Sequence, residues 1–129
     1  MRIKSSKAKG KRAVFETRDL LLDKAPHLAP EDIVKPVGSR SGADLILSPR
    51  AKETYPFSIE VKNQEKINIW ESIAQSERHG EKEGLTPLLV FKRNRSELYV
   101  TLKLEDLLRL MQREPSISPF SEQAELLTV

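Results

Sequence analysis

Cysteine is absent from the 129 residues. Disulfides, zinc–thiolate sites and a cysteine nucleophile are therefore excluded. Aromatic residues make up only 5%, and none interleave with the basic segments, so a platform for stacking unpaired bases is not evident. No apolar run is long enough to span a membrane. The N-terminus has no apolar segment of the signal-peptide type. The simplest compartment for such a chain is a bacterial-type cytoplasm. What remains suits one domain with a real core: 38% of residues are hydrophobic and 32% are charged.

The net charge is only +3, but it is unevenly placed. The opening "MRIKSSKAKGKR" carries Arg2, Lys4, Lys7, Lys9, Lys11 and Arg12 and no acid. A segment of this kind suits a polyanion, because each phosphate contact releases counterions; a solvated, solubilising tail is the plainer reading. Residues 1–10 read as a flexible basic arm, 11–113 as the folded domain, and 114–129, "PSISPFSEQAELLTV" with the preceding glutamate, as a tail rich in serine and proline.

"KRAVFETRDLLLDK" predicts a helix from Lys11 to Lys24, with Leu21 and Leu22 turned to a core. Pro26 and Pro30 break it, and His27 between them reads as a surface histidine. "GSRSG", residues 38–42, reads as a tight polar loop. "ADLILS", 43–48, and "FSIEVKN", 57–63, read as strands joined in a hairpin by a polar connection. The next segment predicts a helix over 68–84, with Asn68 as N-cap, Glu71 completing a capping box and Gly84 as terminator. "TPLLVFKRN" and "ELYVTLK" predict two more strands about the turn "RNRS", and "LEDLLRLMQR" a closing helix with Leu104, Leu107, Leu108 and Met111 on one side. The order predicts an α/β domain with a central mixed sheet of four or five strands flanked by helices.

Strand alternation puts Phe57, Ile59 and Val61 on one face of 57–63, and Ser58, Glu60 and Lys62 on the other. A wet polar face would explain Glu60 and Lys62. The alternative is a hard-cation site: Asp44 at the start of the neighbouring strand can approach Glu60, and Glu16, turned away from Val14 on the first helix, can join them. Carboxylates crowded together repel unless a cation lies between them. Mg²⁺ prefers such oxygen ligands, and it suits phosphodiester hydrolysis by polarising a phosphoryl oxygen and acidifying a water. Lys62 would position or deprotonate that water, or neutralise charge building in the transition state.

Glu16 after "KGKRAVFE", "GSRSGAD" ending in Asp44, and "IEVK" with Glu60 and Lys62 together resemble the PD-(D/E)XK nuclease superfamily. Within it they look like the small Holliday-junction resolvases of archaea and phages, over roughly residues 8 to 112. The resemblance implies a restriction-endonuclease-like core in which Asp44, Glu60 and Lys62 bind metal and activate water, with Glu16 as an additional metal ligand. It matches Gln75 to an auxiliary glutamine, an exposed helix position being the plainer account, and either Ser39 or Ser41 to an active-site-loop serine. Ala43 stands where the superfamily often has proline.

The activity this implies is a Mg²⁺-dependent endonuclease, with Mn²⁺ as substitute. It would make paired symmetric nicks in four-way DNA junctions as a homodimer, in recombination and repair, with no membrane partner and no small-molecule cofactor. Lys7, Lys9, Lys11, Arg12, Ser39, Arg40, Ser41, Lys92, Arg93 and Arg95 are the candidate DNA contacts. Trp70 reads as a core or dimer contact rather than a base-stacking platform. The rival readings are a related nuclease acting on flaps or plain duplex, and a nucleic-acid-binding protein without catalysis.

Overall fold

The computed structural model describes residues 2–37 and 42–113, with side chains from Lys7 onward. The first helix, α1, runs from Arg2 to Asp23. It is longer than the spacing predicts: its opening holds six lysines and arginines, which are good helix formers, beside two serines and a glycine, which are not. A 3₁₀ turn (Pro30–Asp32) leads into β1 (Ile33–Val34), and β2 is Ile46–Leu47. Then come α2 (Pro49–Thr54), β3 (Phe57–Asn63), α3 (Ile69–Glu83), β4 (Thr86–Lys92), β5 (Tyr99–Thr101) and α4 (Leu104–Gln112).

The α/β class expected from the sequence is present, and its five strands divide between two sheets. β1 and β2 form an antiparallel pair, with Ile33 opposite Leu47. The larger sheet has the order β3-β4-β5. β3 and β4 are parallel, Glu60 opposite Leu89 and Lys62 opposite Phe91, with α3 as the crossover; β4 and β5 are antiparallel.

The expected hairpin between 43–48 and 57–63 does not form. β2 pairs with β1 instead, and the polar connection is the helix α2, capped by the Ser48 hydroxyl accepting from Ala51 N–H with proline in the first turn. Ser48 also donates to Asp32 Oδ1 at 2.7 Å, tying α2 to the 3₁₀ turn. Residues 43–45 still reach β3 along its free edge: Asp44 N–H donates to Ile59 O at 2.9 Å.

The core lies between α1 and the larger sheet. Ala13, Val14, Ile33, Leu45, Leu47, Ile59, Val61, Leu88 and Val90 are buried there, with Leu21 and Leu22 packed partly against them. The opposite face of the sheet is covered by α3, whose buried residues are small: Ser72, Ser76 and Gly80. A Cβ on Gly80 would lie 2.5 Å from Pro87 Cγ, so glycine is what lets α3 sit this close to β4. Asn68 caps α3 by accepting from Glu71 N–H at 3.1 Å, and Gly84 ends it with φ of 68°, as the sequence predicts.

Candidate active site

Ser58, Glu60 and Lys62 emerge from the α3 face of β3, and the site forms where three segments meet there. Glu60 is 3% exposed, an unusual position for a carboxylate. His79 on α3 lies over it, with Nδ1 2.8 Å from Glu60 Oε2. One turn on, Glu83 accepts from Ser58 Oγ at 3.4 Å and from Ala43 N–H at 3.3 Å. Asp44 comes from the other side, its Oδ2 accepting from Val61 N–H at 2.7 Å. Glu83 thus holds the residue before Asp44, and the β3 backbone holds Asp44 at both its amide and its carboxylate.

α3 runs antiparallel to β3, with His79 over Glu60 and Glu83 over Ser58. Four residues of helix rise about 6 Å and two of strand about 6.6 Å. The same register sets the half-buried Gln75, one turn before His79, at the level of Lys62.

The electrostatics are those of two acids held close together out of water. Burial raises the Asp44 carboxyl above its ordinary value, against the opposing effects of the Val61 N–H and the charges of Lys62, His79 and Lys35. Burial also raises Glu60, and the negative charge of Asp44 raises it further; His79 and Lys62 act the other way. Among the described residues, each carboxylate spends one oxygen on these bonds, Asp44 Oδ2 and Glu60 Oε2. An ion would have to displace the protons that burial favours, and two oxygen donors with several waters suit a hard divalent cation, so the donor set fits Mg²⁺ or Mn²⁺.

The other sequence candidates are spread more widely. Glu16 is on α1, across the sheet, where its Oε2 pairs with Lys92 Nζ at 3.1 Å. Among the described residues no group of three His, Cys, Asp or Glu side chains stands close enough to hold a metal ion. Lys7, Lys11 and Arg12 are exposed on α1 and Lys9 is half-buried there; the Lys9 carbonyl accepts from Asn63 at the end of β3. Arg93 and Arg95 are exposed in the turn after β4, where Arg95 has a positive φ of 63°. Lys9, Lys62, Lys92, Arg93 and Arg95 thus gather at the carboxyl end of the parallel strands, the end at which open α/β sheets bind ligands. Ser39, Arg40 and Ser41 lie outside the described residues. Trp70 is 77% exposed, which removes it from the core.

Nearly all of this framework, from within the basic helix to α4, is covered by a family model: residues 5–123 match the family described as "Phage putative PDDEXK endonuclease". The chain belongs to this family. No curated protein matches it. Within the matched stretch Asp44, Glu60 and Lys62 stand in the order acid, acid, lysine, and the first two are the carboxylates that the fold brings together. The sequence reading missed His79, Glu83 and Lys35. For the first two a signal was present, since 75, 79 and 83 recur at helical spacing along one face. Lys35 precedes a proline in an irregular stretch and carries no such pattern.

Proposed function

We propose that the protein is a divalent-metal-dependent DNA endonuclease that introduces paired symmetric nicks into branched DNA, with the four-way junction as preferred substrate. The observation that supports the chemistry is the approach of Asp44 and Glu60 beside Lys62 at the carboxyl end of β3. Residues 11–113 would carry the activity, 1–10 would extend the basic surface, and the site of action would be the cytoplasm of a bacterial host during recombination or repair.

Asp44 Oδ1 and Glu60 Oε1 are the oxygens that would hold Mg²⁺, or Mn²⁺ in its place. The bound cation supplies charge neutralisation at the phosphoryl oxygen and an acidified water. His79 fixes Glu60 through the other oxygen, so the carboxylate reaches the site in one orientation. Lys62 as an ammonium would stand where negative charge builds during attack and orient the water, whereas only its neutral amine could take the water's proton. Gln75, level with Lys62, would hold the lysine or a water. Glu16, paired with Lys92 on the α1 side of the sheet, stands outside this ligand pair. Lys7, Lys9, Lys11, Arg12, Arg93 and Arg95 would contact phosphates, reading shape rather than base sequence. Two nicks placed symmetrically need two sites at fixed separation, so the working unit would be a homodimer.

Cleavage of a labelled four-way junction beside duplex of the same sequence, with Mg²⁺ or EDTA, tests this for wild type and Glu60→Gln. Paired nicks confined to the junction, lost with EDTA and in the variant, are expected. Equal cutting of duplex would replace the junction with a general duplex substrate. Binding without cutting in any divalent metal would leave a binding protein.

A further inference from the structure

No aromatic residue interleaves with the basic segments in the sequence, yet the β4–β5 hairpin brings aromatic rings to a basic turn. Phe91 is level with Lys62 across the parallel pair and with Tyr99 across the antiparallel pair. Residues directly opposite one another in a sheet share a face, so Lys62, Phe91 and Tyr99 form a row on the α3 side. The rings of Phe91 and Tyr99 are 6.2 Å apart and tilted by 33°. Strands lie about 4.8 Å apart, so the row sets Tyr99 about 10 Å from Lys62.

Just before α3 begins, the two rings and Ile67 line a groove of about 210 Å³, with the exposed Arg93 beside them. Its walls are tied to each other. Gln64 N–H donates to Lys92 O at 3.1 Å and Asn94 N–H to Glu65 Oε1 at 2.8 Å, joining the loop after β3 to the turn after β4. Within that turn Ser96 Oγ accepts from Arg93 N–H at 3.0 Å. Tyr99 is nonetheless 58% exposed. The groove is preformed and its main ring is largely uncovered.

We propose that this groove takes one unpaired nucleobase from the branch of the DNA substrate, stacked against Tyr99 and Phe91 beside the phosphate that Lys62 meets. This rests on the reading of the site as a nuclease for branched DNA and supplies its substrate preference. Size is the first reason. Sites for drug-sized ligands run to about 300–1,000 Å³, and the smaller groove suits a single ring system. Charge is the second. Arg93 and Arg95 stand exposed in the adjoining turn, where a nucleotide brings its own phosphate and an apolar side chain would bring no counter-charge. The lining also holds an acid, Glu65, with one oxygen occupied by Asn94. Position is the third. A paired base has neighbours on both faces, so only an unstacked one offers a face to a ring. Unpairing costs least where pairing is already interrupted, so a groove in the row of Lys62 favours a branch over continuous duplex without reading its sequence.

Binding of the full chain is measured in EDTA, to prevent cutting, on a four-way junction with one unpaired thymidine at the branch and on the same junction with an abasic residue in its place. The wild type is expected to bind the first about tenfold more tightly. Tyr99→Ala should abolish the difference, and Tyr99→Phe, which keeps the ring, should retain it. Trp70→Ala removes an exposed ring outside the groove and should leave the difference unchanged. With iodouracil at the unpaired position, irradiation of the wild type should crosslink the base to the peptide that carries Phe91 or Tyr99; this readout needs no variant to fold. Equal affinity for the two junctions overturns the proposal, and so does a preference that survives Tyr99→Ala with crosslinks elsewhere. The preference in a protein that cuts no DNA would sink the nuclease reading and leave this one standing. Cutting of branched DNA without the preference would do the reverse.

Discussion

The two faces of β3 are built on opposite principles. Toward α1, Ile59 and Val61 sit among Val14, Leu88 and Val90 in a dry apolar layer. Toward α3, the same strand presents Ser58, Glu60 and Lys62 to a helix that meets them with serine, glycine, histidine and glutamate. Both faces are closed to water, yet only the first gains from it. Burying a methylene stabilises by about 0.8 kcal/mol, whereas burying a carboxylate costs free energy unless it is paired. The α3 face is thus held in place by the α1 face, and its raised acids mark work other than stability.

The largest effect that would sharpen this contrast comes from the dry side. Ile59→Ala should cost about 4 kcal/mol in urea unfolding, because Ile59 is fully buried and the cavity cannot fill. A cost under about 1 kcal/mol would mean that the layer is not the main support. On the α3 side, Glu60→Gln should reduce cleavage by about 10²–10³-fold, the range seen when one polar group at a reacting centre is lost. Its thermal unfolding should be unchanged or raised, since a buried charge is removed. A variant that loses activity by unfolding would erase the distinction between the faces.

His79→Ala should have a smaller consequence. Cleavage should fall about tenfold, mostly through weaker metal binding, since outer partners of ligands typically contribute roughly 10–100-fold. Saturating metal and His79→Asn, which keeps a donor, should each restore part of it; an equal loss at every metal concentration would place His79 elsewhere in the reaction.

The smallest effect is in pH. Folded Asp44 and Glu60 keep their protons to higher pH than their ordinary values of 3.8 and 4.5. In that interval the unfolded chain holds fewer protons than the folded one, so the stability of the metal-free protein falls as pH rises through it. Chemical denaturation in EDTA should show this decline, and Asp44→Asn should flatten it. A rise over the same interval would mean that pairing, not burial, governs these acids.

Much of this was legible in the residues. Alternation placed Glu60 and Lys62 together on one face of β3, and both α3 caps follow from Asn68 and Gly84 because their geometry is local, although Glu71 accepts from the Asn68 side-chain amide rather than from its backbone N–H as a capping box would. Asp44 was expected near Glu60, and it is, by another route from the expected hairpin. The pairing of β1 with β2 was hidden because two residues carry no periodicity, and β1 lies between Pro30 and Pro36. α2 was readable in principle: Ser48 before Pro49 is a helix start, masked by the polar residues beyond it. The division of strands into two sheets, and the placing of Glu16 beside Lys92, depend on packing over long separations that no local pattern records.

The two acids come from different segments, one within β3 and one bonded to it. Glu60 rides on the three-stranded sheet, and Asp44 leads into the β1–β2 pair, held at one end through Glu83 and at the other through Ser48 and Asp32. Asp44 is already tied to β3 by its amide and its carboxylate, so an ion bridging the two acids would add a third tie between β3 and the segment that leads into β2. Loading the site and stiffening the molecule are then one event, so protease resistance would report metal occupancy without any DNA present.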